Sequence, residues 1–296
     1  MQPGKEHTLI LLSCSNHKES GGRRYQTEDR QIFRNLMVKE AEELIRKRKE
    51  IFSYLHNDRE KRIFATGTKD GYRDERGANP ELMLVGPDLG YGSSSSQQIY
   101  LPAYKRYKSR FFNGLLKAAP NFWENLHQYS VEILFVSAAY GLLLWDEPIQ
   151  NYDCNFLVQI QSESREKGRK LEEFWKDTLT STLCNFLCEA KKKNPIVMIY
   201  DLLSDESYQN AIRWHLVAKE GVEIRHRMLK ESNDSKILYS LATILGSDFD
   251  RFLPSTSNSF DVGSWNTTNA GIPIRFDPVV FGDLECMKLS LTDRYP

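Results

Sequence analysis

VEILFVSAAYGLLLWDEPIQNYD, residues 131–153, decides the fold. It opens as an apolar run fit for a buried strand and meets Ser137. It then strings Tyr140-Gly141, Trp145, two acids, Gln150 and Tyr152-Asp153 along what reads as loop. Two other runs share that form. HTLILLSCSNHK (7–18) ends its apolar stretch in Ser13-Cys14 and a polar loop, and PIVMIYDLLSDE (195–206) ends in Asp201 to Glu206. VEIRHRML (222–229) and KRIFATGTK (61–69) read as further strands.

Between the strands the apolar period becomes helical. Ile32, Phe33, Leu36, Met37, Leu44, Ile45, Ile51, Phe52 and Leu55 predict one long helix or two in tandem over about 27–57, with RKRKE (46–50) on the outer face. A helix starts near Ser109, another spans about 162–192 until Asn194-Pro195 breaks it, and a third is N-capped by Asp205 and stopped by Gly221. Strands alternating with helices predict an α/β fold with a mainly parallel or mixed central sheet and helices on both faces. The domain is expected over 1–230, with a Gly/Ser-rich insertion at about 71–98. Residues 231–296 form an accessory segment: one helix, SKILYSLATILG, and then an irregular C-terminal extension.

Composition narrows the function classes. Forty basic and forty acidic residues cancel, so no global field draws the chain onto nucleic acid and any such binding needs a local patch. The apolar run at Leu9 is too short for a signal peptide and none approaches a membrane span. Five scattered cysteines without C-x-x-C spacing predict a reduced, cytoplasmic setting. The six histidines have no metal spacing, so neither a metal nor a cofactor is expected.

In a parallel sheet, loops after the strands open on one edge, where ligands bind. The three polar loops are therefore expected to build one pocket. Ser13 and Lys18 suit an anion, or a plain solvated loop. Cys14 is a nucleophile or, as burial tendencies favour, a small buried thiol. Gly141 permits a left-handed turn or a close approach of backbone to ligand. Tyr140 and Tyr152 suit stacking on a base, or closing the core edge, and Gln150 suits reading a heterocycle. Asp146 and Glu147 read as loop surface. IYLPAYKRYKSRFF (99–112) interleaves Tyr107 with Lys105, Arg106 and Arg110, a pattern of nucleic-acid grooves and also of an amphipathic helix start with snorkelling cations.

The same stretches resemble the YaaA family, the peroxide stress response proteins. LILLSCSNHK is similar to that family's first strand and loop, although SCSNHK replaces its serine-proline-alanine-lysine pattern and displaces Lys18. Ser137, Tyr140, Gly141, Leu143, Gln150 and Tyr152 match its S-x-x-Y-G-x-L and Q-x-Y elements. Tyr107, with Ser109 where glycine is usual, and Ser204 with Tyr208 resemble two more, and the landmarks together cover roughly 8–215. The resemblance implies a compact α/β fold with a positive cleft, a part in limiting oxidative damage by intracellular iron, and DNA binding.

The combined expectation is nucleic-acid or nucleotide binding. Tyr107, Tyr140 and Tyr152 would contact a base, Gln150 its edge, and Lys105, Arg106 and Arg110 phosphate. Ser13, Lys18, Ser137, Gly141, Ser204 and Tyr208 would complete the site. The rival is an enzyme on a nucleobase or nucleoside, with Asp153 and Asp201 as its carboxylates. A third reading is a protein-interaction component that uses the insertion and the tail.

Overall fold

The computed structural model describes residues 6–19, 22–23, 26, 28–57, 100–152, 154–156, 159–160, 169–227, 234–245 and 276–278. The 61–69 strand expectation, the 71–98 insertion, Asp153 and most of the C-terminal extension lie outside them.

The chain is a mixed α/β protein built on a sheet of six strands: β1 (His7–Ser13), β2 (Val131–Ser137), β3 (Gly141–Leu144), β4 (Ile196–Leu202), β5 (Glu223–Arg227) and β6 (Phe276–Pro278). Their order across the sheet is β6-β5-β4-β1-β2-β3. The four middle strands run parallel, and the two edge strands β3 and β6 run antiparallel to their neighbours. Leu9 to Leu12 of β1 are all at most 2% exposed. Successive side chains point to opposite faces, so both faces of this strand are covered. Because β1 sits between β2 and β4 in parallel register, with Leu12 opposite Phe135 and Leu202, the three carboxyl ends lie side by side.

The helices of five or more residues among the described ones are α1 (Val38–Asn57), α2 (Arg110–Ala118), α3 (Leu171–Ala190), α4 (Glu206–Asn210) and α5 (Asp234–Leu245). The periodicity over 27–57 resolves into a 3-10 turn, Ile32–Asn35, and then α1, separated at Leu36, whose backbone is extended. Met37 N–H donates to Asn185 Oδ1 at 2.8 Å, which ties the start of α1 to α3. Ser109 Oγ caps α2 by accepting from Phe112 N–H, and Asp205 caps α4 by accepting from Ser207 N–H. Gly221, at φ 75°, ends the helical turn before β5. α1 packs on α3 and α2 on α5. Leu238 and Leu241 of α5 are buried in the same core as the sheet.

The stretch after Ser137 is a hairpin, not a loop: β3 folds back on β2 with Gly141 opposite Ser137. Gly141 has φ 71°, and a Cβ there would lie 2.8 Å from Trp175 Cζ3 and 3.0 Å from Leu44 Cδ1. Glycine is required by the turn and by the close approach of α1 and α3.

The same hairpin overturns two surface expectations. Glu147 is buried, and Arg48, from the charged run 46–50, is buried with it. Arg48 Nη1 pairs with Glu147 Oε1 at 2.8 Å, while Nε and Nη2 donate to the carbonyls of Tyr140 and Leu142, each at 2.7 Å. Glu147 Oε2 accepts from Ile32 N–H and Leu144 N–H. A tight turn leaves carbonyls and amides without ladder partners, and this ion pair satisfies them. Asp146, the other expected surface acid, is half-buried and paired with Arg30.

Candidate functional site

The polar side chains at the carboxyl ends of β1, β2 and β4 are hydrogen-bonded across the strands. Ser13 Oγ accepts from Ser204 N–H at 2.7 Å, joining the ends of β1 and β4. Cys14 Sγ lies 3.1 Å from the Tyr208 hydroxyl. From the end of β2, Ser137 Oγ is 2.7 Å from the Tyr152 hydroxyl, which is 2.8 Å from that of Tyr107. Tyr140 N–H donates to Ser137 Oγ, and the Tyr140 hydroxyl accepts from Gln150 N–H at 3.0 Å.

Burial pushes the hydroxyls of Tyr107, Tyr152 and Tyr208 well above the ordinary tyrosine pKa, and the nearby Cys14 thiol pushes the same way. They stay protonated and serve as donors as well as acceptors.

Two cations belong to this cluster. A short antiparallel pairing sets Lys18 opposite Tyr107. Lys18 Nζ donates to the Ser15 carbonyl at 2.7 Å and lies 4.0 Å from the centre of the Tyr152 ring. Arg106 is fully buried and donates to the carbonyls of Glu19 and Ile149. Burial lowers its pKa to about 10, against the opposing influence of the Tyr140, Tyr107 and Tyr152 hydroxyls, so it remains a cation at neutral pH.

The residues picked out from the sequence thus divide. Ser13, Lys18, Tyr107, Ser137, Tyr140, Gln150, Tyr152, Ser204 and Tyr208 gather at the strand ends. The rings of Tyr107, Tyr140 and Tyr152 are buried and pack on one another, with centroids 6.5 Å apart for Tyr107–Tyr152 and 5.4 Å for Tyr140–Tyr152. The three expected phosphate ligands separate: Arg106 is interior, whereas Arg110, at the start of α2, and Lys105, in the short helix Ala103–Arg106 before it, are exposed. Asp201 is fully buried, with Oδ1 accepting from Leu203 N–H and Oδ2 from Gln209 Nε2 and His226 Nδ1.

Sequence reasoning passed over Arg48, Glu147 and His226. Arg48 left one signal. It stands four residues after Leu44 and three before Ile51, on the apolar stripe of its helix. Among the described residues no group of His, Cys, Asp and Glu is arranged to hold a metal ion, and no helix is long and apolar enough to cross a membrane.

Fold and site together define an α/β protein whose three central parallel strands end in one buried, hydrogen-bonded cluster of tyrosine, serine and thiol groups beside two cations. The chain belongs to the peroxide stress protein YaaA family, whose model matches residues 8–242, from β1 into α5. That span contains every described residue of the cluster. No curated protein matches the chain.

Proposed function

We propose that this member of the peroxide stress family binds nucleic acid or a nucleotide at the carboxyl edge of its sheet. The observation that carries the reading is the placing of Lys18 over Tyr152 with the buried Arg106 cation beside the same tyrosines. Positive charge at a cluster of protonated hydroxyls suits an anionic, hydrogen-bonding ligand. Lys105 and Arg110, exposed nearby in sequence, supply the adjacent phosphate contacts. Because the tyrosine rings pack on one another, the ligand meets Lys18 and the loop edge first, and the tyrosines act as the wall that orients Lys18. The nucleoside-enzyme reading draws less support, since Asp201 already holds three protein donors.

The test is fluorescence-anisotropy titration of a labelled single-stranded oligonucleotide, with a mononucleotide titrated separately by calorimetry. Lys18→Ala is expected to weaken binding, and Lys192→Ala, in the remote turn after α3, to leave it unchanged. Equal affinity of wild type and Lys18→Ala would overturn the proposal.

A further inference from the structure

The second polar cluster at the carboxyl edge lies two strands from the tyrosines. Asp201 of β4 and His226 of β5 are opposite each other in parallel register. Asp201 is fully buried, and Oδ2 lies 2.7 Å from His226 Nδ1. Gln209 Nε2 also donates to Oδ2 at 2.7 Å, and Leu203 N–H donates to Oδ1. A carboxylate held by an amide and a backbone N–H acts as an acceptor, so Nδ1 must be the donor. In neutral imidazole the lone pair is then on Nε2. The Trp214 ring stands edge-on to the imidazole, with centroids 4.6 Å apart, and its Nε1–H donates to the Gln209 carbonyl. Gln209 and Trp214 therefore lock both members of the pair. The imidazole is still 22% exposed, and Nε2 has no hydrogen-bond partner among the described residues.

The second ring nitrogen is thus left open to solvent near the edge where parallel sheets take ligands. We propose that Asp201 and His226 form an acid–base pair, separate from the tyrosine cluster, that activates water or a ligand hydroxyl. His226 Nε2 is the proton acceptor and Asp201 its positioning residue. Nε2 takes the proton as the oxygen bonds to an electrophilic carbon of an ester or related acyl group. The imidazolium then returns that proton to the departing oxygen as its bond to carbon breaks. Water is the only co-reactant, and no electrons are exchanged. This inference stands whether or not the tyrosine cluster binds nucleotide.

The experiment uses the full chain, with 4-nitrophenyl acetate as probe. Wild type is expected to release nitrophenolate above the buffer rate, and His226→Gln to lose that excess, a drop on the order of a hundredfold. Asp201→Asn should also lower the rate. His127→Gln, at an exposed site far from the pair in sequence, should not. Nitrogen-15 spectra of histidine-labelled wild type should show neutral His226 as the Nδ1–H tautomer, and Asp201→Asn should shift it towards Nε2–H, an effect that a merely structural role would not carry into the rate. Thermal melts identify variants that fail to fold. For these, wild-type modification by diethyl pyrocarbonate replaces the kinetic comparison: His226 should react and thereby abolish ester release. Equal rates in wild type and folded His226→Gln, an Nε2–H tautomer in wild type, or ester release that survives complete His226 modification would each overturn the proposal.

Discussion

Replacing Arg48 with methionine should cost more stability than any exposed substitution, because Arg48 donates to three acceptors in the hairpin that carries Ser137, Tyr140 and Gly141. Its guanidinium pairs with Glu147 at 2.8 Å and supplies the Tyr140 and Leu142 carbonyls. Methionine fills much of the volume but leaves Glu147 as a buried charge without its cation. Burial already pushes the Glu147 carboxyl above the ordinary range even with Arg48 present. Breaking one side of such a buried pair costs about 3–5 kcal/mol. In a domain of this size that lowers the melting temperature by roughly 6–20 °C.

The second arm is Arg48→Met with Glu147→Gln. Glutamine removes the stranded charge and can still accept from Ile32 or Leu144 N–H, so the double variant should recover about half of the loss. Urea denaturation followed by tryptophan fluorescence gives both numbers. A single-variant loss below about 1 kcal/mol, or a double variant no more stable than the single, would refute the reasoning.

Three further outcomes follow from the same geometry. Gly141→Ala combines a left-handed backbone with a Cβ 2.8 Å from Trp175, and should destabilise by about 2 kcal/mol or more in the same urea assay. Tyr152→Phe removes the hydroxyl that bridges Ser137 and Tyr107, and should cost about 1–3 kcal/mol by leaving buried polar groups unmet. Burial raises the Glu132 carboxyl above its ordinary 4.5, more than Arg30 lowers it. The folded state therefore binds more protons than the unfolded one above that pH, and the contribution of Glu132 to stability falls as pH rises through its folded pKa. Glu132→Gln should then gain on wild type in urea midpoint between pH 4.5 and 7.5, and a constant difference would contradict the assignment.

The sheet was legible because it rests on local pattern. The runs at 9–12 and 133–136 are apolar on both faces, as a strand covered on both sides of a parallel sheet requires, and 196–199 adds a third apolar run just before Asp201. The caps at Ser109 and Asp205 were equally local, whereas the one helix expected between Asp205 and Gly221 is three short pieces: Glu206–Asn210, Trp214–Val217 and a 3-10 turn, Ala218–Glu220, that Gly221 ends. What stayed hidden depends on partners distant in sequence. Arg48 and Glu147 are charged residues in a charged run and a polar turn, and their burial follows only from a hairpin that points its carbonyls at α1. His226 alternates with Arg225 and Arg227 in an otherwise ordinary strand, and only the parallel register with β4 brings Asp201 to it. The strand-end residues were recognised as a set, whereas their mutual hydrogen bonding was not. The sequence shows that Tyr107 and Tyr152 are tyrosines near strand ends, not that each hydroxyl is directed at the other.

The most direct measurement of the central claim is the salt dependence of oligonucleotide binding. If Lys18, Lys105 and Arg110 each contact a phosphate, the logarithm of affinity should fall against the logarithm of salt with a slope of about −2, close to a twentyfold loss for a fourfold rise in salt. Lys18→Ala should make that slope shallower by about 0.7. An affinity indifferent to salt, or a slope that Lys18→Ala leaves unchanged, would contradict a phosphate-binding edge at the tyrosine cluster.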